Sequence, residues 1–145
     1  MTKTQLSRYF RNHVLGQLYD DSDGDRVGTA IYSLSDPRDI RAIRYVGQTK
    51  APKRRFFQHL NTARLWLPDE RLFWVTALEL RPLYEWIREL YLDEHRLPTM
   101  VVYEWLATLP QARIRERSRI CECLQQSLPL LNVEAETSRV QMTLI

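Results

Sequence analysis

Leu6, Phe10, Val14 and Leu18 recur at four-residue spacing near the start of the chain, which predicts a helix from residue 4 to about residue 19. The acidic run Asp20-Asp21-Ser22-Asp23-Gly24-Asp25 ends it. That run does not fit an EF-hand, because Gly24 comes too early and no glutamate closes the loop. Residues 29–34 and 43–48 are rich in β-branched and aromatic side chains, and Ser35-Asp36-Pro37-Arg38-Asp39 stands between them. Two such runs about a turn predict a hairpin that brings Tyr32 and Tyr45 near each other.

Pro52 suits the first turn of a helix whose core stripe is Phe56, Leu60, Ala63 and Leu67. Arg55 and His59, one helical turn apart, project together at the edge of that stripe. Residues 69–80 fit helix and strand equally. A further helix is predicted over 83–94, with Leu83, Ile87, Leu90 and Glu94 stacked and Trp86 and Tyr91 beside them. A third strand is predicted over 99–105. Thr108 and Gln111 form a capping box for a last helix running to about Gln126. Ala112, Glu116, Ile120 and Cys123 share one face of it. A carboxylate on an apolar stripe is costly unless it is paired or holds a cation. Glu116 therefore needs an explanation.

These elements predict an α+β domain: a small, three-stranded, mainly antiparallel sheet flanked by helices, with an extra amino-terminal helix. Residues 1–28 read as a helical extension with an acidic linker, 29–135 as the domain and 136–145 as a tail. A chain of 145 residues is the usual size for one core. No apolar run approaches the roughly 20 residues of a membrane span. Arg8, Arg11 and Asn12 stand where a signal peptide would be apolar, so a cytoplasmic location is expected. Cys121 and Cys123 are too close along a helix for a relaxed disulfide, and without neighbouring ligands they make a poor zinc site; small buried thiols are expected.

The net charge is only +3, but between residues 38 and 64 eight bases (Arg38, Arg41, Arg44, Lys50, Lys53, Arg54, Arg55 and Arg64) face one acid, Asp39. The flanking stretches hold more acids than bases. A field concentrated in one segment suits phosphate binding, although a solvated face explains many such runs.

Ala30-Ile31-Tyr32, Tyr45-Val46-Gly47-Gln48-Thr49, Arg55 with His59, Glu116 and Asn132 together resemble, in order, the motif set of the GIY-YIG nuclease superfamily. The match spans residues 29–132 and is most specific from Tyr45 to Leu60. Ala30 replaces the first motif's glycine. The intervals from Tyr32 to Tyr45 and from Glu116 to Asn132 are somewhat long. No attached DNA-binding module is visible.

The resemblance implies a divalent-metal-dependent endonuclease that hydrolyses DNA phosphodiester bonds, with Tyr32, Tyr45, Arg55, His59, Glu116 and Asn132 at its site. It implies one Mg²⁺ or Mn²⁺ on Glu116, and it implies that Tyr32, with Tyr45 or His59 nearby, accepts or orients the proton of the attacking water. A hard carboxylate oxygen suits such an ion, and a planar guanidinium such as Arg55 can grip phosphate through two donors. An ordinary tyrosine, with a pKa of about 10, is a poor base at neutral pH, so Arg55 and the metal would have to lower it. Tyr32 is the first choice as base and His59 the second. Arg44, Gly47, Gln48, Lys50, Lys53 and Arg54 are the expected nucleic-acid contacts.

Each of these residues also has a plain structural explanation: strand tyrosines pack, arginines pair with acids, and Glu116 could meet an internal arginine. Glycine-lysine and acid-x-lysine pairs are absent, so a P-loop and a restriction-type site are not expected. DNA is the expected partner, with neither membrane nor organic cofactor. A homodimer stays open, since a double-strand break needs two sites or two visits. The alternative is a non-cleaving DNA-binding or structure-recognition module on the same scaffold.

Overall fold

The computed structural model describes residues 2–10, 27–67 and 71–132. Helix α1 (Lys3–Phe10) supplies the first part of the expected amino-terminal helix. The rest of that helix, the acidic run and the tail lie outside the described residues.

Strands β1 (Thr29–Asp36), β2 (Asp39–Thr49) and β3 (Thr99–Leu106) form one antiparallel sheet in the order β2-β1-β3, so the architecture is the α+β type expected. Helix α2 (Pro52–Ala63) follows β2, α3 (Arg81–Glu94) precedes β3, and α4 (Leu109–Gln125) follows it. The described part of the ambiguous segment, from residue 71, resolves into turns and a short 3-10 helix, Leu78–Leu80. Thr108 caps α4 by accepting a hydrogen bond from the Gln111 amide at 3.4 Å.

β1 is central and is buried along nearly all its length, because both of its faces are covered. Successive side chains of a strand point to opposite faces. Tyr32 and Leu34 pack with Phe57, Leu60 and Ala63 of α2 and Leu83, Tyr84 and Ile87 of α3. Ile31 faces the other way and packs with Ile43, Val46, and Ala112, Ile120 and Cys123 of α4. The β1–β2 register sets Tyr32 opposite Gly47 and Leu34 opposite Tyr45. Tyr32 and Tyr45 are thus diagonal neighbours on the α2–α3 face. On the other side of β1, Ile31 pairs with Glu104 and Tyr32 with Val102, so Tyr103 is an extra residue in β3. Its hydroxyl lies 2.9 Å from Ser33 Oγ, on the α4 side.

Two long-range polar contacts hold these layers. Arg88 on α3 is buried and donates to the carbonyls of Ala63, Arg64 and Leu67, where α2 ends. Carbonyls at a helix end lack intrahelical partners and carry partial negative charge, which suits a guanidinium. Asn132 accepts from the Val46 amide at 3.0 Å and donates to the Val46 carbonyl at 2.7 Å, satisfying both backbone groups of a buried residue on the edge strand β2. Among the described residues no helix is long and apolar enough to cross a membrane. Cys123 is buried as expected but Cys121 is exposed, since two residues along a helix turn a side chain well away from the core; both are free thiols.

Candidate active site

Four of the expected residues, Tyr32, Tyr45, Arg55 and His59, converge on the α2–α3 face of the sheet. The Tyr32 and Tyr45 ring centroids are 6.2 Å apart, Tyr32 and His59 6.0 Å, and Tyr45 and His59 5.7 Å. The Tyr32 hydroxyl lies 2.8 Å from His59 Nε2. Arg55, one turn before His59, donates to Gln58 Oε1 at 3.3 Å, and its charge is near enough to the Tyr32 hydroxyl to oppose the rise in its pKa. Tyr45 and Arg55 are half-buried, whereas Tyr32 and His59 are enclosed at 1% and 0% exposure. The outer pair is what an approaching ligand meets, and the inner pair lies behind it.

His59 was expected at a helix edge and instead points into the core. The helical pattern places a residue on a face but does not show how far the sheet above it reaches. Tyr32 supplies the buried polar partner that makes an enclosed imidazole tolerable, and Tyr84 supplies the second, its hydroxyl 3.1 Å from His59 Nδ1. Tyr84 was not singled out from the sequence. It follows Leu83 and stands three residues before Ile87, beside a stripe that reads simply as core. Its only sequence signal is a polar-tipped aromatic on a core face, which usually finds a hydrogen bond.

Gly47 is buried against the Tyr32 ring. A Cβ built on it would come within 2.7 Å of Tyr32 Cζ and its hydroxyl oxygen, so a glycine lets the ring lie flat over the neighbouring strand. Gly47 thus makes room for Tyr32.

Burial first, and then the Tyr45 hydroxyl, raise the Tyr32 pKa well above the ordinary phenol value, while Arg55 opposes them. Burial first, and then the Arg55 charge, push His59 down to about 3. Both residues therefore rest neutral at physiological pH, and Arg55 alone does not bring Tyr32 into the range of a useful base.

Glu116 is half-buried on α4, one turn from Ala112 and from Ile120, which pack on Ile31 and Val46. It belongs to the helix across the sheet from the Tyr32 ring. Among the described residues no group of three or more His, Cys, Asp or Glu side chains could hold a metal. The donor chemistry fits a hard ion held by one carboxylate with its own waters, as Mg²⁺ commonly is, and does not fit zinc. Asn132 serves the Val46 backbone described above.

The basic run does not act as one surface. Arg38 pairs with Asp36 and Glu94, each at 2.7 Å, and Arg41 with Asp39 at 3.2 Å, all at the turn end of the hairpin. Arg64 lies 4.4 Å from the centroid of the Trp74 ring. Nearer the tyrosines, Lys50, Lys53 and Arg54 are exposed around the start of α2, a helix with no acid in its first turn and no side-chain cap. Arg44 and Gln48 are half-buried on β2, and Gln48 Oε1 has no hydrogen-bond partner among the described residues.

No family model, no curated protein and no solved structure matches this chain.

Proposed function

We propose that the protein is a divalent-metal-dependent endonuclease that hydrolyses phosphodiester bonds in DNA at the Tyr32–Tyr45–Arg55–His59 cluster. The observation that carries the reading is the 2.8 Å contact between Tyr32 and His59, with the Arg55 charge close by. Core packing alone has little use for two buried polar rings and a nearby guanidinium, because every such group must be desolvated and satisfied.

Hydrolysis needs a held phosphate, an activated water and stabilisation of the charge that develops at phosphorus. Arg55, half-exposed and permanently charged, grips a non-bridging phosphate oxygen. Tyr32 accepts or orients the proton of the attacking water, which as a base requires a cation beyond Arg55 to lower its pKa, and Tyr45 orients that water from the outer side. Glu116 would hold the Mg²⁺ or Mn²⁺, and because α4 packs on the opposite face of the sheet from Tyr32, that ion would supply a Lewis acid for the phosphate only where the DNA reaches both faces at the sheet's edge. Lys50, Lys53 and Arg54, with the exposed amides at the start of α2, hold the backbone of the DNA without reading its sequence.

The test is cleavage of supercoiled, linear and branched DNA with and without Mg²⁺, beside Tyr32→Phe and Glu116→Ala. Cleavage that requires metal and is lost in both variants is expected. Cleavage undiminished in Glu116→Ala removes the metal assignment. Salt-dependent binding with no cleavage in any metal favours the non-cleaving module.

A further inference from the structure

We propose that Arg113 and Arg117 of α4 hold DNA phosphates at the β2 edge of the sheet, beside Glu116. With Lys50, Lys53 and Arg54 they make that edge one cationic strip, approached from both faces. Its use in cleavage rests on the nuclease reading above; DNA binding by it does not.

Helix α4 carries four arginines, Arg113, Arg115, Arg117 and Arg119, and no acid in its first turn. The start of a helix favours acids because its own dipole is positive there. α4 begins without one and then adds cations, so helix stability does not explain the pattern. Two of the four are neutralised: Arg115 lies 2.8 Å from Glu104 of β3, and Arg119 3.0 Å from Glu122. Arg113 and Arg117 are exposed, and among the described residues no carboxylate pairs with either. Their charge is available to an anion.

Helical geometry sets the direction in which this second pair faces, since successive residues turn by about 100°. Ala112, Ile120 and Cys123 are buried towards the sheet, where α4 packs on Ile31 of β1 and on Ile43 and Val46 of β2. Arg115 and Arg119 lie on one flank of that stripe. It is the β3 flank, because Arg115 meets Glu104 and the Arg119 guanidinium lies 4.2 Å from the Tyr103 ring centroid. Arg113 and Arg117, one turn apart, fall about as far round on the opposite flank. With the strand order β2-β1-β3, that flank faces β2. Glu116 stands three residues from Arg113 and next to Arg117, so one carboxylate is flanked by two cations. The patch is net positive even before an ion binds.

The strand register sets the level along the sheet. Ala30 of β1 pairs with Thr49 of β2 on one side and with Trp105 of β3 on the other, and Thr29 pairs with Leu106. α4 begins at Leu109, just beyond that row, so its first turns stand where β2 gives way to Lys50 and α2. Lys50, Lys53 and Arg54 are exposed at this corner from the α2 side. Arg113 and Arg117 border it from the α4 side. A DNA backbone laid over the corner meets both sets, which is how it reaches the two faces of the sheet at once.

The test is the binding of a labelled duplex over a range of salt, in EDTA so that nothing is cut. Arg113→Ala and Arg117→Ala are each expected to lower the salt slope of log affinity by about 1, for all duplex sequences alike. Arg113→Lys and Arg117→Lys should keep the slope, and Arg115→Ala and Arg119→Ala should leave it unchanged. Arg113→Ala combined with Lys50→Ala should lose about 2, because one duplex touches both sides. An unchanged slope in both alanine variants, or an equal loss in Arg115→Ala and Arg119→Ala, overturns the proposal.

In Mg²⁺, the same two alanine variants should raise KM for cleavage and leave kcat near that of the parent, as loss of uniform binding does. A lowered slope in a protein that cuts no DNA in any metal supports the strip and sinks the nuclease reading instead. Cleavage whose KM ignores both arginines overturns the strip and leaves the nuclease reading standing.

Discussion

The Tyr32 hydroxyl and His59 Nε2 meet at 2.8 Å, one carried by the central strand and the other by the helix that covers it. Removing the hydroxyl with Tyr32→Phe leaves the ring's packing in place and takes away the group assigned to the water. Metal-dependent DNA cleavage should fall by about 10² to 10⁴, the usual yield of a positioned acid–base group. The folded state should lose about 1–3 kcal/mol from the stranded His59 nitrogen, read by denaturant unfolding. A variant that keeps full activity removes Tyr32 from the chemistry.

Gly47→Ala puts a methyl within 2.7 Å of a ring that is 1% exposed and cannot swing clear. Overpacking of this kind costs about 1–3 kcal/mol. In a Tyr32→Leu background the same change should cost much less. A double-mutant cycle measures the difference, and additive effects would contradict the close approach.

His59 also links stability to pH. Its folded pKa lies near 3 against an ordinary value of 6.5, so the folded state resists protonation that the unfolded chain accepts. Stability is unaffected above about pH 6.5 and declines as pH falls from there towards 3, by up to about 1.4 kcal/mol per unit. His59→Asn should flatten the unfolding free energy across that window, and a slope identical to that of the parent chain would show that His59 does not set it.

Asn132→Ala leaves the Val46 amide and carbonyl without their partners, at a cost of about 2–4 kcal/mol for two buried groups. Its melting temperature should drop, while kcat of the folded fraction, measured well below the melt, stays near that of the parent. A large loss of kcat with an unchanged melting temperature would return Asn132 to the reacting centre.

Lys50, Lys53 and Arg54, each replaced by alanine, should weaken DNA binding to all sequences alike. Removing one cation that neutralises a phosphate should lower the salt slope of log affinity by about 1. Arg38→Ala and Arg41→Ala should leave that slope alone, because their charges meet Asp36, Glu94 and Asp39. Equal effects from both sets would mean that the whole basic run touches the DNA.

The strands, the hairpin that sets Tyr32 beside Tyr45 and the capped last helix were legible in the sequence because each rests on short-range pattern: alternation, a turn between apolar runs, and a threonine ahead of a helix. What escaped depends on contacts between distant segments. Helical spacing placed His59 beside the core stripe, but only the sheet above α2 encloses it. Tyr84 reads as one more aromatic until α3 brings its hydroxyl to His59. Asn132 stands 86 residues from Val46, and no local signal tells a side-chain amide that it will stand in for a strand. The charge of residues 38–64 was visible, but its division between acids at the turn and an exposed helix start was not.

The Arg88 clamp bears on more than the end of α2. Arg88 lies one helical turn beyond Tyr84, and Ala63, whose carbonyl it holds at 2.6 Å, one turn beyond His59. The two helices are therefore joined by two successive rungs, Tyr84 to His59 and Arg88 to Ala63. A single rung permits sliding or pivoting; two fix the axial phase of one helix against the other. The hydroxyl–imidazole alignment is thus maintained from one turn away, by a buried cation that grips the backbone carbonyls where α2 ends.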